Sequence, residues 1–281
     1  MPDLWLPGAE RHPLGDTAPT DTQYDPRVIW HITWDRNASA AKPADLVPFD
    51  TLVKYFTGGG KGAAPHLLWD PFTGRIAQFY PANSRAKSVV DTVGGTRTNR
   101  TGKVCLQVEI LFFPHCRVNG KTYATVRDTP AKGLDRILTW ARSWKVPDTW
   151  PMGTPMWTAH RDERTWETEG GHYGHSQVPE NQHTDPGPMP QWPGSTSTPK
   201  PAPPTFPGRS AFGPGKSNAS ILLLGQQLVR RDYGKHYRVG PSRDWGEADR
   251  RNVADFQRAQ GWTGSDADGY PGPETWRRLF T

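Results

Sequence analysis

Apolar and polar residues alternate along Arg27-Val-Ile-Trp-His-Ile-Thr-Trp34, so that Val28, Trp30, Ile32 and Trp34 share one face and Ile29, His31 and Thr33 the other. That period of two predicts a strand. Val104 to Phe113 is the most strand-like run of the chain, with Cys105, Gln107, Glu109 and Leu111 on one side and Val104, Leu106, Val108, Ile110 and Phe112 on the other. His66-Leu-Leu-Trp-Asp70 and Arg75-Ile-Ala-Gln-Phe-Tyr80 flank Pro71-Phe-Thr-Gly74, which reads as a hairpin turn. Leu46, Val47, Phe49, Leu52, Val53 and Phe56 recur near helical spacing, predicting a helix from Pro43 to Phe56 that Gly58-Gly-Gly60 ends. Leu134, Ile137, Leu138 and Ala141 predict a second amphipathic helix over Lys132 to Trp144. Strands interleaved with helices imply an α/β fold, a single mixed β-sheet with helices packed on it.

The pattern breaks at Pro186 to Gly215, where recurrent proline removes backbone donors and blocks both helix and sheet. Such a stretch is a semi-extended spacer of about 3 Å per residue. Beyond it, Ile221 to Val229, Ala248 to Gln260 and Pro273 to Phe280 fit three short helices. The expected organisation is therefore a large domain at residues 1–190, a Pro-rich linker at 191–212 and a small helical domain at 213–281.

Charge adds a polarity to this layout. Of 34 Lys and Arg against 28 Asp and Glu, residues 1–190 hold 21 against 20 and residues 209–281 hold 12 against 8. A basic C-terminal quarter suits an anionic polymer, nucleic acid or bacterial cell wall; the lack of a dense Lys/Arg run favours the wall, with no nucleic acid as partner. No stretch reaches the roughly 18 apolar residues of a membrane span, so no stable membrane insertion is expected. The start, Met1-Pro-Asp-Leu-Trp-Leu-Pro-Gly8, lacks the basic and apolar regions of a signal peptide, so synthesis without export is expected. Two cysteines, Cys105 and Cys116, are too few for a disulfide framework or a structural zinc knuckle, leaving histidines and carboxylates to hold any metal.

Those residues are densest in Gly171-His-Tyr-Gly-His-Ser-Gln-Val-Pro-Glu-Asn-Gln-His-Thr-Asp-Pro-Gly-Pro188, three histidines and an aspartate in a segment too rich in Gly and Pro for an ordinary helix. A structured loop or strand end there can give Zn²⁺ two ligands, and His31 a third, leaving an open position for water. The competing reading is a solvated histidine cluster and a hydrogen-bonded core histidine in the strand. Glu109 divides the same way: a general base facing a cleft, or the edge of a solvated face.

Gly174-His175-Ser-Gln-Val-Pro followed by His183-Thr-Asp185-Pro-Gly-Pro resembles the C-terminal zinc signature of the type 2 N-acetylmuramoyl-L-alanine amidases, the superfamily shared with peptidoglycan recognition proteins and many phage endolysins. The family spacing of ten from this His to the Asp ligand is kept. His31 in Val-Ile-Trp-His matches the family's first zinc ligand, Leu106-Gln-Val-Glu109 its catalytic Glu strand, and Pro65-His66-Leu-Leu with Gly74-Arg-Ile-Ala-Gln its Ala-His-Xaa-Leu and hairpin. The likeness runs through residues 25 to 190 in order. Two positions depart from it: His183 stands where many relatives have Lys, and Ala86-Lys-Ser-Val-Val lacks the family's Trp-His. His160 and His172 are additional groove candidates. The tail, Val253-Ala-Asp-Phe-Gln to Asp268-Gly-Tyr-Pro-Gly-Pro-Glu-Thr-Trp276-Arg-Arg-Leu, resembles a peptidoglycan-binding type 1 module, in which Trp262, Tyr270 and Trp276 can pack the core or stack on sugars.

These resemblances imply a phage endolysin that hydrolyses the amide between the muramic acid lactyl group and L-alanine. Zn²⁺ would be held by His31, His175 and Asp185, with Glu109 as base and His183 as oxyanion donor. They imply peptidoglycan as partner, a monomer, synthesis in the host cytoplasm and release to the wall through a separate pore. A composition rich in Trp, Arg, Gly and Pro fits a GC-rich genome and hence an actinobacterial wall. The alternatives are a non-catalytic peptidoglycan receptor on the same fold, a metalloendopeptidase of the stem peptide and, more remotely, a nuclease.

Overall fold

The computed structural model describes residues 2–33, 38–197 and 204–280. The chain divides into two compact units, Met1–Lys200 and Pro201–Thr281. The strands of the first unit are β1 (Glu10–Arg11), β2 (Arg27–Ile32), β3 (Ala44–Asp45), β4 (Leu67–Trp69), β5 (Ile76–Gln78), β6 (Cys105–Ile110), β7 (Cys116–Val118), β8 (Lys121–Tyr123), β9 (Thr149–Trp150), β10 (Gly171–Gly174) and β11 (Thr196–Ser197). Its helices are α1 (Phe49–Thr57), α2 (Leu134–Ser143) and α3 (Glu163–Thr168).

Six strands make the central sheet in the order β1-β5-β4-β6-β2-β10. β4, β6, β2 and β10 run parallel, and β5 returns antiparallel to β4 through the hairpin. This is a mixed α/β architecture. β2 and β6 are neighbouring interior strands, buried at every residue but Glu109, which explains their near-continuous apolar sequence. On one face Val28, Trp30, Ile32, Leu106, Val108 and Ile110 pack with Ile137, Leu138 and Ala141 of α2. On the other, Leu68, Ala77 and Phe79 pack with Phe49, Val53 and Phe56 of α1, and Ile29, Cys105 and Tyr173 with Trp166 of α3. Each large side chain so buried contributes roughly 1.5–3 kcal/mol. Cys105 and Cys116 are both buried and unbridged.

Several expected boundaries shift. The first helix begins at Phe49 rather than Pro43, because Pro48 stands extended at its N-cap and proline disfavours helical backbone in the residue before it. The residues ahead of it instead form β3, paired with β7. β2 ends at Ile32; Trp34, expected to extend its face, lies outside the described residues. The short strands β1, β3 and β7 to β11 carry too few residues for a period to show.

In the Pro-rich stretch, residues 198–203 lie outside the described residues. Ahead of them Trp192 is buried in the first unit, and beyond them Phe206 and Phe212 pack into the second. That unit holds α4 (Ala219–Arg230), α5 (Glu247–Ala259) and α6 (Pro273–Phe280) around Ile221, Leu224, Leu228, Trp245, Val253, Phe256, Trp276 and Leu279. Asn218 caps α4, its side chain accepting from the N–H groups of Ser220 and Ile221 at 3.0 and 3.1 Å. Gly269 of the Asp-Gly turn has φ +83°, and a Cβ there would collide with the Arg250 carbonyl, so only glycine fits. Trp276 takes the core role, while Trp262 lies half-buried under the Arg278 guanidinium. Arg250 and Arg251 pair with Glu247, and Arg277 and Arg278 with Glu274, so part of this unit's basic excess is locally neutralised. Among the described residues no helix is long and apolar enough to cross a membrane.

Candidate metal centre

The C-terminal ends of parallel strands gather the chain's chemistry, as open α/β sheets commonly do. His31 is the fifth residue of β2, and Glu109 the fifth of β6, its direct partner in the ladder. His175 follows β10 immediately, at the start of a short 3-10 turn. Gly174 makes that placement possible: a Cβ on it would lie 2.6 Å from Pro155 Cβ and 2.8 Å from Pro186 Cδ. The loop then returns so that Asp185 accepts, through its carbonyl, from Ser176 N–H at 2.8 Å and, through Oδ2, from Ile32 N–H at 3.1 Å. One residue thus ties the loop to both β2 and the turn.

His31, His175 and Asp185 are buried, and one ligand atom from each lies within 4.8 Å of the others. His31 Nδ1 and His175 Nδ1 are 3.0 Å apart; Asp185 Oδ1 is 3.4 Å from the latter and Oδ2 3.9 Å from the former. A tetrahedral ion with ligand bonds near 2.0–2.1 Å has ligand-to-ligand edges of roughly 3.3–3.4 Å. The triangle is of that size, and two imidazoles with a carboxylate are a donor set suited to Zn²⁺. His31 Nε2 is buried and has no hydrogen-bond partner among the described residues, so no polar contact described for that atom competes for the ring's orientation. The residues fit a divalent ion.

Burial drives the His31 pKa well below its ordinary value, the nearby His175 adding to the effect, so this ring is a neutral ligand. For Asp185, burial alone would raise the carboxyl, but the imidazoles of His175, His183 and His31 around it outweigh that and hold it ionised. Glu109 moves the opposite way: burial and then the charge of Asp185 push its pKa well above that of an ordinary glutamate. Two carboxyl groups at one site are thereby separated in proton affinity, Asp185 held as an ionised candidate ligand and Glu109 as the group more ready to hold a proton.

Above this floor opens a cleft of about 560 Å³. Glu109, His31, His175 and Asp185 line its base, Leu52, Tyr55 and Phe56 of α1 form an apolar side, and His183 stands at its rim. The His183 side chain is 72% exposed, with Nδ1 3.6 Å from Asp185 Oδ1. Arg161 holds this loop, donating to the carbonyls of Val178 at 2.9 Å and His183 at 2.7 Å.

All five residues singled out from sequence, His31, Glu109, His175, His183 and Asp185, therefore line one cleft. His172 does not join them. Alternation along β10 turns it to the opposite sheet face, where it accepts a hydrogen bond from Trp30 Nε1 at 3.1 Å and packs among Trp30, Trp150 and Trp192. His160 lines no part of the cleft; its N–H donates to Ser176 O at 2.9 Å. His66 is a core residue, Nδ1 accepting from Gln107 N–H at 3.0 Å and Nε2 lying 2.8 Å from Ser84 O. The site residues sequence reasoning missed are Arg161, Asn181, which contacts His175, and the α1 wall; Leu52 and Phe56 carried a helical period, but nothing in it told that they would line a cleft.

Neither a protein-family model nor a curated protein matches the sequence. Among solved structures, the chain is similar to the Staphylococcus aureus hydrolase AmiA in complex with its ligand, at 13% identity and a TM-score of 0.34, over 61% of this chain and 67% of that one. A likeness at that level leaves the chemistry of the site to its own residues.

Proposed function

We propose that this chain is a zinc-dependent N-acetylmuramoyl-L-alanine amidase of bacterial peptidoglycan, acting as a phage endolysin. The observation that carries the reading is the buried triangle of His31, His175 and Asp185 at the base of an open cleft, with Glu109 opposite His31 in the ladder. Zinc held by these three residues would supply Lewis acidity toward the lactyl carbonyl and a water acidic enough to attack near neutral pH.

Glu109 takes a proton from the attacking water and returns it to the departing L-alanine nitrogen; its place beside His31 in the ladder and in the lining of the cleft suits it to both transfers. Hydroxide adds to the acyl carbon, the C–N bond breaks, and the products are a free lactyl carboxylate and a stem peptide with a new amino terminus. His183, exposed at the rim, donates an N–H to the carbonyl oxygen as charge develops there. Leu52, Tyr55 and Phe56 shield one side of the cleft from water. The second unit acts as a peptidoglycan-binding module that raises the local concentration of substrate.

The test is a digest of purified peptidoglycan by zinc-loaded protein, with the products read by mass spectrometry and amino-terminal labelling. New L-alanine termini that vanish on chelation are expected. New termini within the stem peptide would make it an endopeptidase, and tight wall binding with no new termini a receptor.

A further inference from the structure

We infer that Asn181 is a positioning residue that fixes the tautomer of His175 and so presents its Nδ1 as an unprotonated ligand atom. Asn181 is buried and lies six residues beyond His175 in the loop that leads to Asp185. Its Oδ1 is 3.2 Å from His175 Nε2, the ring nitrogen turned away from His31 and Asp185. The orientation of this amide is over-determined. Nδ2 donates to the carbonyls of Pro179 at 2.8 Å and Val90 at 3.3 Å, while Oδ1 accepts from Val90 N–H at 3.1 Å. Exchanging oxygen and nitrogen would set acceptor against carbonyl and donor against N–H, losing all three bonds.

An amide oxygen can only accept, so the hydrogen on the neutral ring sits at Nε2 and the lone pair at Nδ1. The two imidazoles are therefore unequal. His175 is pre-set with its lone pair at Nδ1, whereas His31, whose Nε2 has no hydrogen-bond partner among the described residues, can carry its hydrogen at Nδ1 and donate across the 3.0 Å gap to His175. An ion entering the site needs only His31 to move its proton to Nε2. Supporting contacts of this kind sustain metal affinity by about 10–100-fold. The affinity part of this inference rests on the metal-site reading; the tautomer part stands without it.

The experiment uses the full chain, metal-free and ¹⁵N-labelled at histidine, in long-range ¹H–¹⁵N correlation spectra at neutral pH, with His175→Ala to assign the ring. Zinc binding is measured on the same samples by competition with a chelating dye. Wild type is expected to show His175 protonated at Nε2. Asn181→Leu is expected to show a mixture of tautomers and zinc binding weakened about 10–100-fold. Asn181→Asp keeps an acceptor oxygen toward Nε2 but sets its second oxygen against the Pro179 and Val90 carbonyls, so it is expected to be less stable while its folded form retains the Nε2–H tautomer. His175 protonated at Nδ1 in wild type, or an unchanged tautomer in Asn181→Leu, overturns the inference. Should Asn181→Leu fail to fold, the wild-type and Asn181→Asp spectra still decide it. A wild type that shows the Nε2–H form but binds no zinc would overturn the metal reading and leave the positioning role standing.

Discussion

Glu109 stands directly opposite His31 across the parallel ladder of β6 and β2. Neighbouring strands lie about 4.8 Å apart and paired residues point to the same face. The ladder, rather than a loop, therefore sets the base beside the candidate ligand, on the floor of the cleft. Precision at this position comes from core packing of strands whose flanking residues, Trp30, Ile32, Val108 and Ile110, are all buried.

Replacing Glu109 with Gln keeps the side-chain volume and removes the proton-transfer group. Hydrolysis of peptidoglycan is expected to fall by about 10²–10⁴-fold. Zinc affinity should stay within a few-fold, and the melting temperature should not fall, because a half-buried ionisable group facing the cleft gives way to a neutral side chain of the same size. Activity within tenfold of wild type would remove Glu109 from the mechanism.

His183 acts on the oxyanion in this account and ligates no metal. His183→Ala is expected to lower kcat by about 10²-fold with unchanged zinc stoichiometry. His183→Lys restores a donor and should recover most of the loss. A loss of bound zinc in His183→Ala would instead make it a ligand.

Stability should depend on pH through His66, which burial holds down to about 4. The unfolded chain protonates this ring first, near 6.5, so stability is intact above that value and is lost as pH falls from about 6.5 to about 4. The full effect is about 3 kcal/mol. His66→Gln can keep both hydrogen bonds, to Gln107 N–H and Ser84 O, without titrating. Thermal melts of the two proteins between pH 7 and pH 4 are expected to diverge, wild type falling more steeply; parallel curves would contradict the assignment.

The parts of the fold legible in sequence are those whose periods run long enough to show. β2, β6, the β4–β5 hairpin and α2 each declare themselves by alternation or helical spacing. The start of α1 did not, because the apolar run from Leu46 continues straight through Pro48, where the backbone is still extended. Of the site, His31, His175 and Asp185 were readable as ligand types at a family's spacing, but their convergence is a product of β10 docking beside β2. β10, made of Gly171-His-Tyr-Gly174, has no alternating apolar signal to announce it. The same docking turns His172 away from the cleft, since adjacent strand residues face opposite sides. Asn181 was invisible because its role depends on which ring nitrogen it meets, a matter of three-dimensional placement alone.

The most direct test of the account is the metal stoichiometry of the purified full chain, measured by elemental mass spectrometry after zinc loading and removal of free ion. We expect one zinc per chain in wild type, abolished by His31→Ala and by Asp185→Ala, with the folded state retained by circular dichroism. No bound zinc in wild type, or zinc retained at full stoichiometry in both variants, would contradict the metal centre and the hydrolytic chemistry built on it.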